Sequence, residues 1–393
     1  MCINNDKLVC VLTPFTSVNV NLNTNFYIYQ KLNKYYKNFY FVNIENILGN
    51  KNISHSINSK FSMFKFKNLK SQEELNNFFK KKKEVIIFKA FSNTFENIKL
   101  MFYLKNLDCK LIMLSAVGNL QGNFLKNTMN LDQKINIILK NVLIRKVYSF
   151  LAILNLIPKI EIRFISNKKV IKSLKKNFLK KLLFHWKLLP TKKIISINSN
   201  DFEELKGSKL KYRNNFIVHL DLDLTYKHKI DNRKIIKKKD LDKHYENLNY
   251  FLNSLQKKFN KKIKIAIHPM YNMKLIKKYL NKFEVFKFKT DELINKAYIV
   301  TDFGSSVIVK AILRKKKIIT LRSKYLHYDN TIYSKGVGLF EYNIDNKADY
   351  SKYKLLKKLN LNTGNYKKFI NTHHNLNKKN SYNIIIENIN KLY

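Results

Sequence analysis

Short apolar runs alternate with longer stretches of helical period from one end of the chain to the other. Leu8 to Leu12 (LVCVL) predicts a buried strand that ends at Thr13-Pro14. A helix is expected over Phe26 to Tyr36 and a strand over Phe39 to Ile44. A helix over Gln72 to Lys81 leads to the strand Glu84 to Phe88 (EVIIF), and a helix over Asn93 to Asn106 leads to Lys110 to Leu114 (KLIML). Met129 to Leu156 is helical by period, and Ile160 to Ile165 predicts a further strand. After Leu189-Pro190 the rhythm resumes with strands at Lys193 to Ile197, Phe216 to Leu220 (FIVHL), Lys262 to Ile267 (KIKIAI), Phe283 to Phe288, Tyr298 to Thr301 and Lys317 to Leu321 (KIITL). Between them lie helical patterns. That of Asp240 to Phe259 places Leu241, Tyr245, Leu248, Phe251, Leu252 and Leu255 on one face. A last helix is expected over Ser381 to Leu392.

Strand–helix–strand alternation of this kind predicts parallel sheets covered by helices. The expected class is α/β, with two Rossmann-like, doubly wound parallel-sheet domains: residues 1–190, then 191–375, with 376–393 a terminal helix that packs back on the first domain.

Composition changes the picture in two ways. The chain of 393 residues is 45% hydrophobic, which excludes a disordered protein. Its formal net charge is +49, from 76 Lys+Arg against 27 Asp+Glu. Such a surface attracts polyanions, including anionic membrane surfaces. The lysines spread along the whole length, together with abundant Asn, Ile, Tyr and Phe, so AT-rich codon usage accounts for much of the charge. No helix-turn-helix, aromatic RNP motif or zinc pattern is present, and specific nucleic-acid binding is not expected. Cys2, Cys10 and Cys109 are odd in number and lack metal spacing, which points to a reducing, cytoplasmic compartment. The first residues lack the pattern of a signal peptide, and no apolar run is long enough to span a bilayer. The nearest, Val147 to Pro158 (VYSFLAILNLIP), reads as a buried helix, with an interfacial patch lying on a membrane as the alternative.

Two motifs in the second half point to anion binding. In TDFGSSVIVKAILRKKKIITL, a strand ends at Thr301-Asp302, Gly304 permits a tight turn, and Ser305 and Ser306 open a helix. Free backbone N–H groups, the helix dipole and two hydroxyls suit a phosphate. Ordinary helix capping accounts for the same residues. In His268-Pro269, the proline stops an apolar strand and presents the imidazole at the carboxyl edge of the sheet, where open α/β sheets bind ligands. A structural histidine is the plainer reading of His268 alone. The two motifs strengthen each other, since both lie at carboxyl ends of strands in one sheet.

IAIHPMYN together with TDFGSSVIVKAILRKKKIIT resembles the donor-binding half of GT-B glycosyltransferases. The likeness is to the surface-carbohydrate (capsule and O-antigen) biosynthesis group. That group is similar to bacterial sialyltransferases with HP and Ser-Ser motifs that use CMP-sugars, and to teichoic-acid glycerophosphotransferases with HP and TDYSS motifs. The resemblance covers about Ile194 to Tyr328, with FIVHLDLDLTYKHKID standing where that group shows an Asp-containing motif. It implies a GT-B-like pair of domains facing a cleft, the first on the acceptor side and the second binding the nucleotide donor. It also implies a metal-independent transferase that moves a sugar from a nucleotide-sugar donor, CMP- or CDP-linked, to a glycan or lipid-linked glycan acceptor, with no cofactor. His268, Pro269, Thr301, Gly304, Ser305 and Ser306 would hold the donor phosphate or nucleotide. The chain departs from the pattern at Lys310, where the glycerophosphotransferases carry an Asp, and at Lys315-Lys316-Lys317, where the usual Pro is missing.

An acceptor hydroxyl needs a general base. Asp221, Asp223 and His228 are the candidates, with Asp231 nearby; loop capping explains the two Asp equally well. Arg314 and Arg322 are candidates to offset the charge of a leaving nucleotide. In the first domain, the loops expected after the first and fourth strands, Thr13 to Ser17 and Ser115 to Asn119, would touch acceptor or donor. Three other readings stay open: a non-catalytic nucleotide-binding scaffold, a basic nucleic-acid-binding protein, and a sugar-nucleotide 2-epimerase, whose TDSGG segment Thr301-Asp302 resembles.

Overall fold

In a computed structural model, the structure describes residues 7–48, 61–80, 82–91, 93–107, 109–115, 143–144, 146–168, 170–172, 191–207, 215–221, 237–267, 273–305, 307–325, 340–346 and 363–393. Two compact units form. The first comprises Met1–Gly118, Asp132–Glu204 and Thr372–Tyr393; the second comprises Asn119–Leu131 and Leu205–Asn371.

The first unit holds seven strands: β1 (Lys7–Thr13), β2 (Phe39–Asn43), β3 (Lys65–Asn68), β4 (Glu84–Lys89), β5 (Cys109–Ser115), β6 (Ile160–Ile165) and β7 (Thr191–Ser196). They form one sheet in the order β3-β2-β1-β4-β5-β6-β7, with every pairing parallel. Both faces are covered, as the continuous apolar character of β1 requires: all seven of its residues are buried. Val9, Val11, Phe39, Phe41, Ile86 and Phe88 pack on one face, and Leu8, Cys10, Leu12, Val85, Ile87 and Leu111 on the other. The second unit holds β8 (Phe216–Leu220), β9 (Ile263–Ile267), β10 (Glu284–Lys287), β11 (Ala297–Asp302), β12 (Lys317–Arg322) and β13 (Phe340–Asn343). Its six-stranded sheet has the order β10-β9-β8-β11-β12-β13, again all parallel. The two-domain α/β architecture expected from the rhythm is present.

The strand over Lys193 to Ile197, expected to open the second domain, is instead β7, paired with β6 as the last strand of the first sheet. The chain leaves the first unit only after the helix Asn200–Gly207 has begun. A strand at the edge of either sheet has the same local pattern, and only its partner decides its membership. The chain returns to the first unit at Thr372, and the helix Ser381–Ile389 buries Ile385, Ile386 and Ile389 against it.

The stretch after Pro14, read as a loop, begins the helix Phe15–Tyr35. Asn, Thr and Val are weak helix formers, and the alternation VNVNLN mimics a strand. Burial of Val18 and Leu22, four residues apart, overrides that preference. The helix bends at Asn25 (φ −123°, ψ 18°), where the buried Asn200 side chain accepts from the N–H groups of Tyr27 and Ile28 at 3.0 and 3.3 Å. The apolar run Val147 to Pro158 is a helix through residue 153, as expected, but it is not buried all round. Tyr148 and Ala152 face the core, whereas Phe150, Ile153, Leu154 and Leu156 are exposed.

Candidate functional site

In the second sheet, successive strands step away from the β8–β11 pair in both directions, so the chain order reverses between these two. The crevice outside the carboxyl ends at such a reversal is where open parallel sheets bind ligands. Polar side chains gather at that edge.

β8 is a buried strand with one polar residue, His219, which has no exposed surface. It stands directly opposite Thr301 of β11, and its Nδ1 shares a 2.9 Å hydrogen bond with the threonine hydroxyl. The Nε2 edge lies 3.5 Å from Asp221 Oδ1, and the Tyr245 hydroxyl donates to Asp221 Oδ2 at 3.5 Å. Tyr245 comes from the helix Lys238–Phe259 and stacks on Tyr279, 4.5 Å between ring centroids. Threonine, imidazole, carboxylate and phenol thus form one buried line along the sheet edge. Phe303 closes it, with its ring 5.6 Å from that of His219 and 5.2 Å from that of His244. Burial, with His219 nearby, pushes the His244 pKa down to about 3, so this imidazole is neutral. Its Nδ1 pairs with the Ser323 hydroxyl at 3.1 Å, and Ser323 and Asn247 both donate to Asp345.

At the end of β11 the Asp302 carboxylate folds back and accepts from the N–H groups of Gly304 and Ser305, 2.7 Å each. Gly304 takes φ 105°, a left-handed conformation open to glycine without steric cost. Burial raises the Asp302 pKa to about 7, while the backbone bonds act in the opposite direction. Val307 N–H donates to Ser305 Oγ at 3.3 Å and Ile308 N–H to the Ser305 carbonyl at 3.1 Å. Among the described residues, the backbone N–H groups of Gly304, Ser305, Val307 and Ile308 are therefore engaged within the turn, and the helix itself, Ile308–Leu313, is short. The Ser305 hydroxyl, accepting from Val307, keeps its own hydrogen to donate.

Asp221, Thr301, Gly304 and Ser305 are brought to one edge by these contacts. Asp223, His228, Asp231, His268, Pro269 and Ser306 lie outside the described residues; β9 ends at Ile267, one residue before His268. Arg314 is not at the site. It follows the carboxyl end of the helix Ile308–Leu313, just before β12 begins, and so stands at the amino edge of the sheet, buried, with Nη1 3.4 Å from the Lys310 carbonyl. Arg322 ends β12 and pairs with Glu341 at 2.6 Å. His219, His244 and Tyr245 were not among the expected site residues. The available signal was a histidine inside the otherwise apolar strand FIVHL.

The first sheet reverses in the same way, between β1 and β4. A lysine is buried at its carboxyl edge, and Glu45, two residues past the end of β2, is buried as well. Lys89, the last residue of β4, donates to the Phe91 carbonyl at 2.6 Å and lies 4.1 Å over the Phe91 ring. Burial, followed by the Arg163 charge, lowers its pKa to about 7. Arg163 is also buried, and burial lowers its pKa to about 10. Thr13, at the end of β1, is buried and accepts from Asn21 Nδ2 at 3.2 Å. Ser115, at the end of β5, accepts from Ser166 through its carbonyl; residues 116–119 lie outside the described residues.

Among the described residues, no group of three or more His, Cys, Asp or Glu is placed to hold a metal ion, and no helix is long and apolar enough to cross a membrane. No protein-family model matches the chain, and no curated protein matches it in sequence. Solved structures do match in fold. MnaA of S. aureus, in complex with UDP, superposes with a TM-score of 0.52 at 11% identity, over 98% of this chain and 96% of that one. A putative UDP-N-acetylglucosamine 2-epimerase from Listeria monocytogenes gives 0.51 at 11% identity, over 98% and 96%. A variant of the wall teichoic acid polymerase TagF soaked with CDPG gives 0.51 at 13% identity, over 98% and 88%. The chain shares their fold, that of GT-B-like proteins with two parallel-sheet domains.

Proposed function

We propose that the chain is a GT-B-type transferase that takes a nucleotide-activated donor at the carboxyl edge of its second sheet. It passes a sugar, or a sugar-like group, to a surface glycan or lipid-linked glycan acceptor bound on the side of the first unit. The observation that carries this reading is the buried Thr301–His219–Asp221–Tyr245 line at the β8–β11 reversal. The fold shared with a teichoic acid polymerase soaked with CDPG and with a UDP complex supports a nucleotide ligand.

In this reading His268 and the Ser305-Ser306 hydroxyls hold the donor phosphate, with Pro269, Thr301 and Gly304 shaping the edge. Asp221 acts as a positioning residue, because its carboxylate is enclosed, accepts from the Tyr245 hydroxyl and lies 3.5 Å from the His219 ring. The general base then falls to Asp223 or His228. In this reading donor charge is offset by His268 and the serine hydroxyls rather than by a metal. The donor nucleotide is CMP- or CDP-linked, on the motif resemblance.

A thermal-shift panel of CMP, CDP, UDP, GDP and ADP at physiological salt tests the proposal on wild type, His268→Ala and Asp221→Asn. A ligand that binds only the native state raises its melting temperature. The expected result is a selective shift with CMP or CDP that both variants lose. A UDP-only shift would move the reading to a UDP-sugar enzyme, including an epimerase. Equal small shifts with every nucleotide, unchanged in the variants, would sink the proposal and leave the +49 charge collecting anions.

A further inference from the structure

The helical residues 143–144 and 146–153, with the turn that follows them, carry apolar side chains on both the inward and the outward face. Ile144, Tyr148 and Ala152, at spacings of four, pack into the core of the first unit. On the other side, Leu143, Phe150 and Ile153 share the outward face with Lys146, at 55%, 61% and 68% exposure for the three apolar residues. The turn continues the surface. Asn155 takes φ 59°, closing the helix, and Leu154 and Leu156 flank it at 51% and 45% exposure. A contiguous apolar surface of this kind on a water-exposed helix marks an interaction site.

Charge identifies the partner. Lys146 lies on the apolar stripe itself, Lys105 reaches the turn through a 3.0 Å bond to Asn155, and Lys159 follows it. Lysine stems extend along apolar surface while their ammonium groups reach outward to anions. A second copy of this chain would bring its own +49 charge to the contact and be repelled. A nucleic acid would satisfy the lysines but leave the phenylalanine and leucine side chains in water. An anionic lipid bilayer satisfies both, with acyl chains for the apolar residues and headgroups for the lysines. We infer that the outward face of residues 143–156 is a docking surface for an anionic membrane, with Phe150, Ile153, Leu154 and Leu156 entering the interface. This inference does not rest on the transferase reading, because it uses no residue of the second unit.

The test is co-sedimentation of the full chain with vesicles at physiological salt. Vesicles of phosphatidylcholine alone are compared with vesicles that also contain phosphatidylglycerol. The variant is Phe150→Ser with Ile153→Asn, which leaves the net charge unchanged. Both side chains are exposed, so its melting temperature should match wild type. Wild type should bind the anionic vesicles and bind the neutral ones poorly, and the variant should bind about tenfold more weakly or worse. Leu154→Asn, placed in the turn rather than the helix, should weaken binding independently. Equal binding by wild type and both variants would overturn the inference and reduce the association to general charge. So would failure of wild type to bind anionic vesicles. A wild-type dimer in light scattering that the variant converts to monomer would also overturn it, by showing that a second copy covers the face.

Discussion

The two sheets have the same plan and different chemistry at the equivalent place. Each reverses its strand order next to its first strand, at β1–β4 and at β8–β11. At the first reversal the buried ionisable group that ends a strand is a cation, Lys89, with the buried Glu45 just past the neighbouring β2 and Arg163 on β6, two strands from β4. At the second the buried groups are carboxylates and imidazoles, Asp221, Asp302, His219 and His244. One physical cause acts on both. Removal from water disfavours the charged form, so the Lys89 pKa falls to about 7 and the Asp302 pKa rises to about 7. The fold therefore sets where a crevice can form, and a few side chains set what that crevice can attract.

The comparison breaks most readily at His219. His219→Ala removes a fully buried ring and takes from the Thr301 hydroxyl its imidazole partner, while Asp221 keeps the Tyr245 hydroxyl. A loss of about 2–4 kcal/mol is expected in denaturant unfolding, together with loss of any nucleotide-induced thermal shift. A stable variant that still responds to nucleotide would show that the buried line is ordinary core packing.

Lys89→Met should act in the other direction and with a smaller effect. The ordinary lysine pKa of 10.5 falls to about 7 in the folded chain, so the unfolded chain binds more protons between those values and stability rises with pH there. The cost of burying Lys89 is complete below about pH 7 and fades towards pH 10.5. The methionine variant should therefore melt higher than wild type at pH 6, with the gain shrinking by pH 10. A pH-independent difference would mean that Lys89 does not titrate in the folded chain.

Asp302→Asn should give the smallest effect, visible as a slope. A carboxyl whose pKa rises from 3.8 to about 7 on folding contributes stability that is complete below pH 3.8 and lost as the pH rises through 7. The variant cannot titrate, so the fall in melting temperature between pH 4 and 7 should be shallower than in wild type. Parallel curves would show that the two backbone N–H bonds hold Asp302 ionised throughout.

Much of this organisation is legible in the sequence. Buried parallel strands are continuous apolar runs, so FIVHL, KIKIAI and KIITL identify themselves, and Asp240 to Phe259 carries its helical period openly. The residues that end those strands, Asp221 and Thr301-Asp302, follow from the same reading. The short strands Lys65–Asn68 and Phe340–Asn343 went unread, because four residues at a sheet edge carry too little pattern. His219 was visible only as an interruption in an apolar run.

The sequence by itself determined the α/β rhythm, the two-domain class and the chain positions where strands stop. Those properties depend on local propensity and on which residues avoid water. Tertiary structure alone decided that β7 joins the first sheet, that His219 meets Thr301 and Asp221, and that Asp302 takes the N–H groups of Gly304 and Ser305. It also decided that the apolar helix near residue 150 turns Phe150 and Ile153 outward. A side chain's identity states how strongly it prefers to be buried or paired. Which partner it finds depends on residues far away along the chain, as with the 82 positions that separate His219 from Thr301.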